Sequence, residues 1–310
     1  MEPLIRAASL LFGGIMIAVS GSMLVNIAEK IMKQFKLSEL SVGFLLLSVS
    51  TSSPELSVAI ISALENKASI SIGDILGSNV TNITLIVGLA LIVAGEVILN
   101  EQNIIELADV LFFATMIPFS IFIGGWVTRF TGIFLLIVYL LYIRIVLSKK
   151  RIYPESEENE YTSPQASPFE YIVLLLCIGG LIIGAKIVVD SVSRLSELLN
   201  IHRSILAAKV VALSTSLPEL VVELTAAKKG RVWMALGDAI GSNLVNTTLI
   251  LGMLLTLDPY IDLAAFSVLI TPVLISSFVF LYLLSKRQIG KNSGLILLGL
   301  YVLFQALVTI

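Results

Sequence analysis

Residues 43–88 recur as residues 207–252 at a constant offset of 164, without a gap, and the two segments share 18 identities over 46 positions. Chance repetition of Leu and Ile in an apolar chain does not explain them. The run Ser50-Thr51-Ser52-Ser53-Pro54-Glu55-Leu56 returns as Ser214-Thr215-Ser216-Leu217-Pro218-Glu219-Leu220. Gly73, Asp74, Gly77, Ser78, Asn79 and Asn82 return as Gly237, Asp238, Gly241, Ser242, Asn243 and Asn246. Thr84, Leu85, Ile86 and Gly88 return as Thr248, Leu249, Ile250 and Gly252. A chain that carries one polar motif twice must fold so that both copies have a place, which restricts its architecture before anything else is known.

The medium is set by composition. Of 310 residues, 57% are hydrophobic and 14% charged, and mean hydropathy is +0.99. Soluble domains run at about 45–50% apolar and about 25% charged, so this chain is a membrane protein. A net charge of −2 is too balanced for a nucleic-acid binder. Cys177 is the single cysteine, which excludes a disulfide framework or a cysteine-held metal cluster. His202 is the single histidine, so multi-His metal sites are excluded. The apolar segments hold Ser and Thr but no histidine base or paired Asp to activate them, so the chain is not expected to be an enzyme, and no cofactor is expected beyond the ions it handles.

A membrane-crossing helix needs about 20 mostly apolar residues. Ten stretches qualify: 4–28, 40–65, 69–95, 104–125 and 129–147, then 169–197, 203–227, 232–256, 261–284 and 292–309. The first resembles a signal peptide, with Arg6 ahead of an apolar run and small residues at Ser20 to Ser22. The run continues through Val25 to Ala28, so it reads as a span. Lys149 to Pro168 is Ser/Pro-rich, acidic towards its middle and without periodicity. It reads as a solvated linker, and its carboxylates lack the spacing of a calcium-binding loop. The chain therefore divides into a five-helix repeat at 1–148, a linker at 149–168 and a second five-helix repeat at 169–310.

Five is odd, so the second repeat meets the membrane from the opposite side. The expected fold is an all-α membrane protein of ten transmembrane helices, arranged as two inverted repeats with interrupted helices at the centre. Many secondary transporters use this plan, with substrate near the bilayer midplane. Placing the N-terminus outside puts 13 Lys and Arg in cytoplasmic loops and five in outer ones. Both termini are thus expected outside and the linker in the cytoplasm of a multi-pass cell-membrane protein.

Glu55 and Glu219 sit inside matched spans, where a carboxylate costs several kcal/mol unless it meets a cation, a partner or water. Two acids from symmetry-related halves point to one shared cation site. Pro54 and Pro218 lack an N–H and crowd the carbonyl four residues earlier, which frees backbone oxygens near Ser50, Thr51, Ser214 and Thr215. Unwound carbonyls beside a carboxylate suit Ca²⁺, which takes six to eight oxygens. Ser78 and Asn82 share a helix face, as do Ser242 and Asn246. Their neutral oxygens suit Na⁺ or complete a Ca²⁺ shell. Asp74 and Asp238 fall near the starts of their spans, as N-terminal helix charges or as part of an ion path. Glu223 and Lys209 are expected to snorkel towards the membrane surfaces, and His202 to lie at the membrane edge. The glycosylation sequons at Asn79, Asn82 and Asn246 lie in spans and are read as chance matches.

These motifs resemble those of the cation/calcium exchanger superfamily, most closely the Na⁺/Ca²⁺ exchangers with ten helices and two inverted alpha repeats. The family repeat reads G-T-S-x-P-E, followed by G-S-N and a further Asn or Asp. Here it stands as S-T-S-S-P-E and S-T-S-L-P-E, each followed by G-S-N-x-x-N. The resemblance implies that Glu55 and Glu219 bind Ca²⁺ and that Thr51 and Thr215 offer it backbone carbonyls. It implies that Ser52, Ser78, Ser216 and Ser242 line flanking Na⁺ sites, with Asn82 and Asn246 at the centre. It also implies that the first and sixth spans slide against the other eight. The chain departs from the family in having Asn246 where Asp is frequent, Ser50 and Ser214 in place of glycine, and Lys209 close to the pathway. The implied function is an antiporter exchanging Ca²⁺ for Na⁺ across the lipid bilayer. The alternative is H⁺/Ca²⁺ exchange on the same glutamates.

Overall fold

Inside hydrocarbon no water is available to backbone N–H and C=O groups, so a segment that crosses it bonds to itself as a helix. The computed structural model describes residues 2–32, 44, 47–149, 168–261 and 263–308, and these are helical nearly throughout. In chain order, α1 is Glu2–Met32, α2 Ser48–Thr51, α3 Ser53–Leu64, α4 Ala68–Ala94, α5 Glu101–Gly124 and α6 Arg129–Lys149. Then follow α7 Pro168–Leu199, α8 Arg203–Thr215, α9 Leu217–Lys228, α10 Val232–Leu257, α11 Ala264–Ser267, α12 Ile270–Ser285 and α13 Lys291–Leu307. Most of the expected linker and the first part of the second expected span lie outside the described residues.

Five segments are long and apolar enough to cross a membrane: Glu2–Met23, α4, α5, Leu175–Leu199 and α10. The pair α8 and α9, bent by 47° where they join, makes a sixth, while α3, α12 and α13 are shorter apolar helices. Each expected span falls, in its described part, on one of these helices or on α6.

The layering follows from burial. Most of the apolar window is inside the protein in α4 (83%) and α10 (78%), against 33% in α1 and α5. The two helices that carry the second motif of each repeat are therefore the inner pair. On α1, Leu4, Ile5, Leu11, Phe12 and Ile15 point outward, as do Phe169, Ile172, Leu175 and Leu176 on α7. Apolar side chains displayed in this way suit contact with lipid.

Small residues allow the inner helices to cross at backbone distance. A Cβ on Gly73 would lie 2.1 Å from the Ser204 carbonyl oxygen, and one on Gly77 2.5 Å from that of Ala208. The mirror crossing brings Gly241 to within 3.0 Å of the Phe44 Cα by the same measure, and Phe44 is the counterpart of Ala208 at the repeat offset. Outside this core, α1 packs along α7, where Gly13 and Gly184 face each other's carbonyl oxygens. Gly21 of α1 rests against both Pro54 and Pro218.

The ends of the helices are tied in two groups. At one end, Val97 and Ile98 pair antiparallel with Ile289 and Gln288, and Arg287 meets Glu101 at 3.2 Å. At the other end, Arg6, Lys67, Arg194 and Arg203 line one pocket with Asp190 and Glu197. Charge counting assigns those four cations to a single side of the membrane, and the structure places them together.

Two predictions follow from these contacts. Gly73→Val drives a side chain into backbone, so it is expected to lower the thermal denaturation midpoint in detergent by the equivalent of about 1–3 kcal/mol or more. Gly179→Ala, at a position with nothing within 4 Å of the added carbon, leaves that midpoint unchanged. The second concerns Glu65, in the loop after α3, which pairs with Lys186 and with Lys67 at 2.8 Å. The Lys186 and Lys67 bonds hold its carboxyl down at about 2, against an ordinary value of 4.5. A depressed carboxyl stabilises fully above its unfolded value and loses that contribution as pH falls through the folded one. The pair is partly exposed, so the loss stays below about 1 kcal/mol. Melting curves between about pH 5 and about pH 2 should show this decline in the wild type and lack it in Glu65→Gln.

Candidate cation site

Each repeat breaks its first motif helix at the same place. Between α2 and α3, Ser52 has φ −78° and ψ 10°, and between α8 and α9, Ser216 has φ −82° and ψ 10°. The cause is Pro54 and Pro218, each the second residue of the new helix, where a missing N–H costs least. The bonds that remain, Ser52 N–H to the Ser48 carbonyl and Ser216 N–H to the Ala212 carbonyl, are both 3.1 Å. The two breaks differ in one bond, however. The Ser53 hydroxyl donates to the Ser50 carbonyl, whereas its counterpart in the second half is Leu217, which has no donor to offer Ser214. The repeat predicts equivalent halves here, and the structure distinguishes them.

The breaks bring the two glutamates together. Ser216 donates to Glu55 Oε1 at 3.3 Å, and Ser52 donates to Glu219 Oε1 at 3.4 Å. Each glutamate thus accepts from the serine that begins the other glutamate's helix, a reciprocal arrangement that follows the sequence repeat. Ser78 adds a second donor to Glu55 Oε1 at 3.4 Å. Ser242, the counterpart of Ser78, lies 3.3 Å from the Thr51 hydroxyl. All ten expected site residues, Thr51, Ser52, Glu55, Ser78, Asn82, Thr215, Ser216, Glu219, Ser242 and Asn246, are at most 1% exposed.

One turn further along α4 and α10, four asparagines interlock. Asn82 Nδ2 donates to Asn243 Oδ1 at 3.1 Å, and Asn246 Nδ2 donates to Asn79 Oδ1 at 3.0 Å. Asn243 also donates to the Asn79 carbonyl at 3.1 Å. Asn82 and Asn246 begin π-helical turns, Asn82–Ile86 and Asn246–Ile250. Such bulges recur at functional sites, because the wider turn re-aims side chains. Asn79 and Asn243 are partners that the sequence reading noted only as part of a sequon or a motif. Their recurrence in G-S-N was the available signal.

Asp74 and Asp238 correct an expectation. Each is the seventh residue of its helix, beyond the first turn, and fully buried. Thr215 donates to Asp74 Oδ1 at 2.9 Å and Thr51 to Asp238 Oδ1 at 3.3 Å, again across the repeats. They are therefore not N-terminal helix charges. Glu223 does not snorkel: it is 0% exposed. Lys209 turns away from the cluster and donates to the Gln305 carbonyl at 2.7 Å. His202 is exposed and caps α8, accepting the Ser204 N–H.

Among the described residues, the buried oxygens of this cluster without a hydrogen-bond partner include Glu55 Oε2, Glu219 Oε2, Asp74 Oδ2, Asn82 Oδ1 and Asn246 Oδ1. The glutamate and asparagine oxygens occupy two positions, each present in both repeats. Among the described residues, no three His, Cys, Asp or Glu converge on a metal position. A cation here would be held by two carboxylates with hydroxyl, amide and carbonyl oxygens around them. That donor set is all oxygen, which favours a hard cation.

The family model for the sodium/calcium exchanger protein matches residues 6–148 and 169–310, both sides of the linker. The chain belongs to the sodium/calcium exchanger family. It is accordingly an antiporter of membranes and not an enzyme. An uncharacterized membrane protein of Methanocaldococcus jannaschii is 30% identical over 94% of this chain and 94% of its own length. The sodium/calcium exchanger MaX1 of Methanosarcina acetivorans is 28% identical over 95% of this chain and 96% of its own. A solved structure of the sodium-calcium exchanger NCX_Mj, soaked with Na⁺ and Sr²⁺, is similar with a TM-score of 0.66 and 26% identity, covering 98% of this chain and 99% of that one.

The cross-repeat threonine bonds yield a prediction. Thr215→Val strips a buried carboxylate of a hydrogen bond and is expected to cost about 1–3 kcal/mol. Thr215→Ser, which keeps the hydroxyl, should cost much less. Thermal denaturation of the two variants in detergent makes the comparison.

Proposed function

We propose that this exchanger moves Ca²⁺ against Na⁺ by alternating access through ten transmembrane helices, arranged as two inverted five-helix repeats at 1–148 and 169–310. The observation that carries the reading is the reciprocal pair of serine–glutamate bonds, which seats Glu55 and Glu219 against each other with one oxygen of each unpartnered. Two carboxylates neutralise one Ca²⁺, and carbonyls of Thr51 and Thr215 complete its shell. Na⁺ binds at the flanking Ser52, Ser78, Ser216 and Ser242, with Asn82 and Asn246 between them. The related exchangers are named for sodium and calcium, which supports this choice of ions.

Shared ligands couple the fluxes. With the site empty, two negative charges stand in a low dielectric and resist the change of state. Loading with either ion relieves that charge, so the protein converts only when occupied. The moving part is α1 with α7, which pack along each other and rest on both proline breaks through Gly21. Lys and Arg bias places both termini outside and the linker in the cytoplasm.

Glu55→Gln and Glu219→Gln are each expected to cut Na⁺-driven ⁴⁵Ca²⁺ uptake into proteoliposomes at least about tenfold, because losing one charge from the pair weakens ion binding by more than the roughly 1.4 kcal/mol of a decade. Near-normal uptake in both variants overturns the assignment. In the wild type, a Na⁺ gradient alone should drive uptake. If a pH gradient alone drives it instead, the partner ion is H⁺.

A further inference from the structure

Glu223 takes no part in the hydrogen bonds of the central cluster. It is 0% exposed, and neither of its carboxylate oxygens has a hydrogen-bond partner among the described residues. A carboxylate in that position is costly to keep charged without a partner, so it takes up either a proton or a cation.

The α9–α10 hairpin fixes what it faces. Glu223 stands seven residues before Gly230 in the connecting turn and Asp238 eight after it, so the two lie level on adjacent helices. The first hairpin shows this register directly. Ser78 donates to Glu55, and one turn closer to the connecting loop the same register opposes Ala59 and Asp74. At the repeat offset of 164, those positions are Glu223 and Asp238. Asp238 and Glu219 are both close enough to Glu223 to repel it electrostatically. The second half therefore has a carboxylate pair where the first has an acid opposite a methyl group.

We propose that Glu223 and Asp238 form a second divalent-cation site, about one helical turn or about 5.4 Å from Glu219 towards the 229–231 turn. It rests on the antiporter reading, because its cargo is the same Ca²⁺, held between the central glutamates and the inner solution. Two carboxylates match a divalent charge, and their oxygens suit a hard ion. Ala59 removes the mirror site, so Ca²⁺ meets a waiting position on one side of the membrane only.

Equilibrium dialysis of the purified full-length protein against ⁴⁵Ca²⁺, in Na⁺-free buffer, tests this. The wild type is expected to bind two ions per chain. Glu223→Ala and the isosteric Glu223→Gln should each bind one, and Glu55→Gln combined with Glu223→Ala none. A wild type that binds one ion overturns the proposal, whether or not the variants fold. So do Glu223 variants that bind as many ions as the wild type. If Glu55→Gln alone still binds two ions while the Glu223 variants bind one, the central assignment fails and the second site stands.

Discussion

The protein is organised around two carboxylates that hydrocarbon would otherwise expel. Glu55 and Glu219 remain buried because each is met by a serine from the other repeat, Ser216 and Ser52. That bond requires a helix to stop and restart beside the acid, which is what Pro54 and Pro218 bring about. It also requires α4 and α10 to approach the broken helices closely, which Gly73, Gly77 and Gly241 permit. The acids, the prolines and the glycines thus answer one electrostatic problem at three levels of structure. The polar contacts run mostly between repeats, through Thr215 to Asp74, Thr51 to Asp238 and Asn82 to Asn243. Only Ser78 meets an acid of its own half, Glu55, among the described side-chain bonds to these four acids.

Much of this was readable in advance. Helical spans in lipid are forced by backbone bonding, so hydropathy located them. The repeat located the site, because polar identities that survive among apolar positions mark groups with a task. The kinks at Ser52 and Ser216 followed from proline chemistry. Counting charges on alternate loops put Arg6, Lys67, Arg129, Arg194 and Arg203 on one side, and all of these but Arg129 line one pocket.

What was not readable depended on register between helices. Of the two readings open for Asp74 and Asp238, the helix-terminal one fails although the helix starts were located to within a residue, because the threonines that bury each acid come from the other repeat. Glu223 was assigned to the surface because a single acid near a basic loop has a cheap way out, and only the packed hairpin closes it. The roles of Asn79 and Asn243 needed the partner helix, since an amide gives no sign of which neighbour it will bond. The unequal halves at Ser53 and Leu217 show the limit of reasoning by symmetry: one hydroxyl bonds the Ser50 carbonyl and has no side-chain counterpart beside Ser214.

The crossing of α4 with α8 has a mechanical meaning. Two backbones that leave no room for a methyl group at Gly73 or Gly77 behave as a welded joint. Neither can shift along the other without collision, so the inner frame is rigid at this crossing. The α1–α7 pair meets less closely, with a Cβ on Gly13 or Gly184 lying 3.1 Å from the other's carbonyl oxygen. In the proposed exchange cycle the motion runs along the surface between that pair and the frame, where, at Gly21, two proline rings stand in its way.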